Sequence, residues 1–220
     1  MKLRRLTVFV FLFAMMVSTT AFAAGYKTSI RLTVEDIEAS LPNHPITIGL
    51  DVDDTAMFSS PGFYYAFNNT DGPNGTNIYG DKPLKNSKFW EDQSCKFDAF
   101  SMPKLSCKKL LEMHSRRGDT IYFITARPVP QGKEILTKCL HKAFNLKNQP
   151  KAIFTGYVTK AKFIKEKKVE IYYGDSDSDI TEAWDAGIRA IRFERSPLST
   201  NKGKYNPGKF GEAILANSAD

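Results

Sequence analysis

Five short runs of apolar, β-branched or aromatic residues, at 46–50, 120–124, 152–154, 169–173 and 190–193, recur between segments with helical patterning. The helices are predicted at 105–117, stopped by Gly118, at 133–144, at 161–167, and at 179–186, stopped by Gly187. Such alternation argues for an α/β domain, a mostly parallel sheet flanked by helices. Asp51, Thr125 and Asp175 each follow a strand, and open sheets of this class bind ligands outside the carboxyl ends of their strands. Residues 56–104 are rich in aromatics and turn formers, notably over 68–75. A structureless loop of that length is improbable inside one domain, so the stretch reads as a small cap or flap inserted after the first strand. The tail beyond Arg195, with Pro197, Gly203, Pro207 and Gly208, reads as surface loop.

The amino terminus follows different rules. Lys2, Arg4 and Arg5 precede an apolar run from Leu6 to Val17 and the small-residue stretch around Ala21 and Ala23, the pattern of a cleaved signal peptide over 1–23. The apolar run is shorter than the ~20 residues of a spanning helix, so no membrane anchor is expected after cleavage. What remains is an arm at 24–45 and one domain at 46–220. Three positive charges of the leader contribute to the formal net charge of +7, leaving +4 without a dense basic block. That balance suits small anionic substrates and calls for no stable nucleic-acid partner. Cys95, Cys107 and Cys139 are an odd set in an exported chain, permitting at most one intramolecular disulfide, and no spacing among them suggests zinc.

The chemistry concentrates in Asp51-Val52-Asp53-Asp54-Thr55. Of two carboxylates two residues apart at a strand end, one can attack phosphorus while the other protonates the leaving oxygen and later takes a proton from water. Asp51 is the candidate nucleophile and Asp53 the candidate acid/base. Asp175 and Asp179, in Gly174-Asp175-Ser176-Asp177-Ser178-Asp179, would meet them if the two strands are neighbours and complete an oxygen-lined magnesium site. A calcium loop is the rival for this segment, but Ile180 and Thr181 stand where an EF-hand needs its glycine. Thr125-Ala126-Arg127 offers a hydroxyl and backbone N–H groups to phosphate oxygens, and Lys160 or Lys162 could neutralise phosphate charge. Together these parts point to phosphoryl transfer, with a non-catalytic exported divalent-metal-binding protein as the alternative.

The order Asp51-x-Asp53, Thr125, lysine, Gly174-Asp175-x3-Asp179 resembles the four motifs of the haloacid dehalogenase superfamily, and so a Rossmann-like fold. More narrowly, residues 49–55 and 58–63, Lys88-Phe89-Trp90, Arg116-Arg117-Gly118-Asp119, residues 173–177 and Phe210-Gly211-Glu212 resemble the bacterial class B non-specific acid phosphatases. The resemblance implies a periplasmic homotetramer that hydrolyses phosphomonoesters, nucleotides included, through an aspartyl-phosphate, and can pass the phosphoryl group to alcohols. It implies one Mg2+ held by the Asp51 carboxylate, the Asp53 backbone carbonyl and Asp175, with Asp179 in support. It selects Lys160 as the phosphate-binding lysine, with Thr125, Ala126 and Arg127 at the substrate and Phe63, Leu84 and Trp90 around its ring. Ala126 stands where the family usually has glycine, and Asn201 where it has a pocket tyrosine.

Overall fold

Strand β1 (Arg31–Leu32) and helix α1 (Val34–Ala39) form within the arm expected to precede the domain. Thr33 caps α1 and Asp36 returns the bond to the Thr33 backbone, a reciprocal box that satisfies two otherwise orphaned N–H groups. The central strand β2 (Thr47–Leu50) follows. The insertion then runs through β3 (Met57–Phe58), α2 (Ser60–Asn68), α3 (Ser87–Cys95) and β4 (Met102–Pro103), with short 3-10 turns between. After it come α4 (Leu105–Arg117), β5 (Thr120–Thr125), α5 (Leu136–Ala143), β6 (Ile153–Phe154), α6 (Lys160–Glu166), β7 (Ile171–Gly174), α7 (Asp177–Asp185), β8 (Arg189–Arg192) and β9 (Ala213–Leu215). This computed structural model describes residues 29–156 and 158–220, and the leader predicted at 1–23 lies outside them.

The sheet has the order β1-β9-β8-β7-β2-β5-β6 and every pairing in it is parallel. Ile48 faces Ile121 of β5 on one side and Ile171 of β7 on the other. The chain leaves β2 toward β5 and later returns to β7, so the strand order reverses at β2, and a crevice opens there at the carboxyl ends. Alternation along the strands feeds two cores. Ile48, Leu50, Ile121, Phe123 and Tyr173 pack on one face with Leu110, Leu111 and Leu140; Tyr172, Ile124, Ile164 and Ile180 pack on the other. Gly49 lets the Tyr172 ring cross β2, since a Cβ there would meet its Cδ2 at 2.7 Å.

The five expected strands and four expected helices all form, α4 with the expected bounds and the others with shifted ends. Helix α7 starts at Asp177, because Ser176 caps it. Helix α5 starts at Leu136, where Glu134 accepts the Thr137 N–H, and the bend before it is held by Glu91 of the insertion, which accepts the backbone N–H groups of Gln131 and Gly132. The tail expected as surface loop is corrected by β9, which lies between β1 and β8 and joins the arm to the sheet. The insertion has its own aromatic core of Phe63, Ala66, Tyr79 and Phe89, and β3 pairs with β4 where the chain enters and leaves it. Cys95, Cys107 and Cys139 are free thiols. Among the described residues no helix is long and apolar enough to cross a membrane.

Candidate active site

Three strand ends converge on one point. Asp51 leaves β2 with its N–H donated to the Tyr173 carbonyl at 2.9 Å, which seats it beside the end of β7. The chain then turns tightly: Ala56 and Met57 both donate to the Val52 carbonyl, and Asp54 takes the left-handed conformation at φ 61°. Lys104, buried and without a carboxylate partner among the described residues, holds this turn from outside by donating to the carbonyls of Asp54 (3.0 Å) and Glu194 (2.6 Å).

Lys160 is the residue around which the carboxylates gather. Thr159 caps α6, Glu182 accepts from the Thr159 hydroxyl at 2.8 Å, and the Lys160 side chain runs inward. Its Nζ lies 2.5 Å from Asp51 Oδ1 and 2.6 Å from Asp179 Oδ1. Lys162, the other candidate, is exposed and pairs with Glu166 along its own helix. Asp179 reaches the site because residue 174 is glycine. A Cβ there would lie 2.3 Å from Asp179 Cβ and 2.4 Å from its Cγ. The other Asp179 oxygen accepts from Ser176 N–H and Oγ, which fixes its orientation.

Asp51, Asp175 and Asp179 each offer a carboxylate oxygen, all within 4.8 Å of one another. Burial raises the Asp51 pKa well above the ordinary carboxylate value, and Asp179, Asp175 and Asp53 add to the rise against the opposing charge of Lys160. Asp175 is pushed up to about 6 by burial and Asp179, although Arg195 Nε sits 2.5 Å from its Oδ2 and Thr55 donates to its Oδ1 at 3.0 Å. Three carboxylates set against the two cations Lys160 and Arg195 keep an excess of negative charge on a hard, all-oxygen donor set, which fits a divalent cation.

Opposite this cluster, burial works to raise Asp53, but the charge and hydrogen bonds of Arg127 prevail and hold it below its ordinary value. Thr125 ends β5 with its hydroxyl accepting from Arg127 N–H at 3.3 Å, which leaves its own proton for an acceptor. Ala126 is exposed beside it. Arg127 was expected at the substrate. The structure instead buries its guanidinium against two carboxylates: Nε and Nη2 donate to Asp53 at 2.9 and 2.6 Å, and Nη1 and Nη2 to Asp98 at 2.7 and 3.1 Å.

Leu84 and Trp90 line a cavity of about 480 Å3 with Lys85, Ser87, Ala126, Pro128 and Gly156. Trp90 is fixed there by its indole N–H, which donates to the Leu84 carbonyl at 2.8 Å. Phe63, expected on the same wall, is buried in the insertion core, 5.5 Å from Phe89 and 5.8 Å from Trp90 between ring centroids. It supports Trp90 from behind. Asn201 sits in the loop over Asp54, its N–H donating to Ser199, whose hydroxyl donates to Asp54 at 2.7 Å. Arg195, Asp98, Lys104 and Thr55 are site residues that the sequence did not single out. Only Thr55, inside the first motif, carried a local signal.

Residues 16–198 match the family model described as HAD superfamily, subfamily IIIB (acid phosphatase). A class B acid phosphatase from Salmonella arizonae is 42% identical over 194 residues, covering 85% of this chain and 79% of that protein. Another from Marinomonas is 39% identical over 201 residues, covering 89% and 82%. Among solved structures, a haloacid dehalogenase-like hydrolase from Streptococcus pneumoniae superposes with a TM-score of 0.53 at 15% identity, over 81% of this chain and 96% of that one. At that identity the likeness concerns the fold alone.

Proposed function

The chain belongs to subfamily IIIB of the HAD superfamily and is an acid phosphatase, and from that premise we propose that it is a periplasmic, magnesium-dependent enzyme acting broadly on phosphomonoesters, nucleotides included. The observation that carries this reading is the Lys160 ammonium bridging Asp51 and Asp179 beside Asp175, with Asp53 facing them under the control of Arg127. Asp51 attacks phosphorus, forming a P–O bond as the bond to the leaving oxygen breaks, and Asp53 gives that oxygen its proton. Water then attacks the phosphorus of the aspartyl-phosphate and passes a proton to Asp53. The bond to Asp51 breaks, releasing inorganic phosphate. An alcohol in place of water would give phosphoryl transfer by the same steps.

Lys160 and the Thr125 hydroxyl hold the phosphoryl oxygens as charge develops on them. Asp51, Asp175 and the Asp53 backbone carbonyl, with Asp179 in support, would hold Mg2+, which when bound offsets the charge of the carboxylates and of the phosphoryl group. Leu84 and Trp90 offer an apolar wall to the organic part of the ester. The motif likeness supports a homotetramer, and the leader pattern at 1–23 supports export.

The test is phosphate release from p-nitrophenyl phosphate and a nucleoside monophosphate by the mature protein, with magnesium or EDTA, beside Asp51→Asn. Turnover that needs the metal and disappears in the variant is the expected result. Folded, metal-loaded protein that turns over neither ester between about pH 5 and 8, the range in which His and perturbed carboxylates titrate, would overturn the reading.

A further inference from the structure

We infer that Asp98, supplied by the cap, is a positioning residue for the acid/base: it holds the Arg127 guanidinium in the orientation from which that group fixes the Asp53 carboxyl. The inference rests on the phosphatase reading above.

Asp98 lies in the 3-10 turn Phe97–Phe100, is 1% exposed, and touches neither the metal-binding carboxylates nor the cavity walled by Trp90. Its two oxygens take Arg127 Nη1 and Nη2, while Nε and Nη2 go to Asp53, so all three nitrogens of the guanidinium are engaged. The place of Asp98 is itself fixed. Gln93 of α3 donates to its Oδ1 at 2.8 Å, and Gln93 is pressed against Gly62 of α2, where a Cβ would come within 2.0 Å of its Oε1. Two cap helices thereby set a carboxylate, the carboxylate sets an arginine of the sheet domain, and the arginine sets Asp53.

The geometry answers a need of the site. Asp53 takes the guanidinium only along its Nε and Nη2 edge, at 2.9 and 2.6 Å. Asp98 takes the Nη1 and Nη2 edge at 2.7 and 3.1 Å, so the buried guanidinium is held from both edges and cannot swing away from Asp53. Only the planar fork of arginine can serve two carboxylates from fixed directions.

Misplacing an acid/base matters most where the leaving oxygen needs its proton. We would compare p-nitrophenyl phosphate, whose phenolate departs readily unprotonated, with glycerol phosphate, whose alkoxide does not, using the mature enzyme, Asp98→Asn and Asp98→Glu. For Asp98→Asn, kcat on glycerol phosphate is expected to fall about 10- to 100-fold and kcat on the aryl ester by less than about 3-fold. Equal losses on both esters, with the unaltered enzyme active on both, would overturn the inference alone; an unaltered enzyme inactive on both would defeat the phosphatase reading instead. Should Asp98→Asn fail to fold by circular dichroism, Asp98→Glu keeps the charge while displacing it by one methylene, and the same ratio decides. In an Arg127→Gln background Asp98→Asn should cost little more, because Asp98 acts on Asp53 only through Arg127, and fully additive losses would also overturn it.

Discussion

Two of the buried cations of the site each lie between two carboxylates, and they differ in kind. Lys160 joins Asp51 to Asp179 entirely within the sheet domain, whereas Arg127 joins Asp53 of the sheet domain to Asp98 of the cap. The first is an ammonium, a compact charge with rotatable donors that can transfer its attention from a carboxylate to an arriving phosphoryl oxygen. The second is a rigid fork with every nitrogen already engaged. In the proposed reaction, charge stabilisation thus falls to a cation that can adapt, and the positioning of the acid/base to one that cannot. Only the second depends on the cap.

Breaking the Lys160 side should cost most. Lys160→Met removes the positive charge from among three buried carboxylates and from the phosphoryl group, and activity on both aryl and alkyl esters is expected to fall about 10³-fold, as when a preorganised donor is lost. A fall confined to alkyl esters would mean that Lys160 serves the leaving group. Gly174→Ala keeps every charged residue but forces Asp179 away from the strand, since the added carbon would overlap its side chain. A loss of about 10²-fold on both esters is expected, because misplacement of a catalytic group by roughly 1 Å costs on that order. Near-normal turnover would show that Asp179 can be displaced without harm. Arg127→Lys keeps the charge and loses the fork. Its expected loss is about 10-fold and larger on alkyl than on aryl esters, in keeping with a small misalignment of the acid/base.

The two sides were not equally legible in the sequence. The Lys160 side is built from strand ends and a helix start, so Asp51, Thr125 and Asp175 could be placed from periodicity, and the motif order singled out Lys160. The clustered carboxylates Asp51, Asp175 and Asp179 meet because β2 and β7 are neighbours, a long-range pairing that periodicity alone could only make conditional. The Arg127 side was hidden. Asp98 belongs to a segment whose 3-10 turns and aromatic packing follow no period, and its partner lies 29 residues away. Phe63 could not be placed for a related reason: an aromatic near a site can line a cavity or support its lining, and composition does not separate them. The β1 and β9 strands escaped because two or three residues are too few to establish alternation, and β1 joins the sheet through β9.

A final contrast lies on the α4 face of the sheet, behind Asp51. His114 of α4 is buried with Nδ1 2.7 Å from Asp119 and Nε2 2.9 Å from the hydroxyl of Tyr173, whose carbonyl takes the Asp51 N–H. Asp119 can only accept, so Nδ1 carries the proton and Tyr173 donates to Nε2. Burial lowers the His114 pKa below 6.5, outweighing the raising effect of Asp119. Between that lowered value and the ordinary one of about 6.5, the unfolded chain binds the extra proton and the folded chain does not, so this group's contribution to stability rises with pH across the window and is lost below it. His114→Asn removes the titrating ring. The stability gap between the two proteins, read from urea unfolding, should therefore be widest near pH 7.5 and narrow as pH drops below about 6.5. A gap unchanged down to pH 5 would show that the ring takes up no proton on unfolding. Because this network touches the backbone behind Asp51 and not Arg127, the ratio of aryl to alkyl turnover should stay that of the unaltered enzyme. A shifted ratio would mean that the nucleophile and the acid/base share their support, contrary to the division drawn from their two cations.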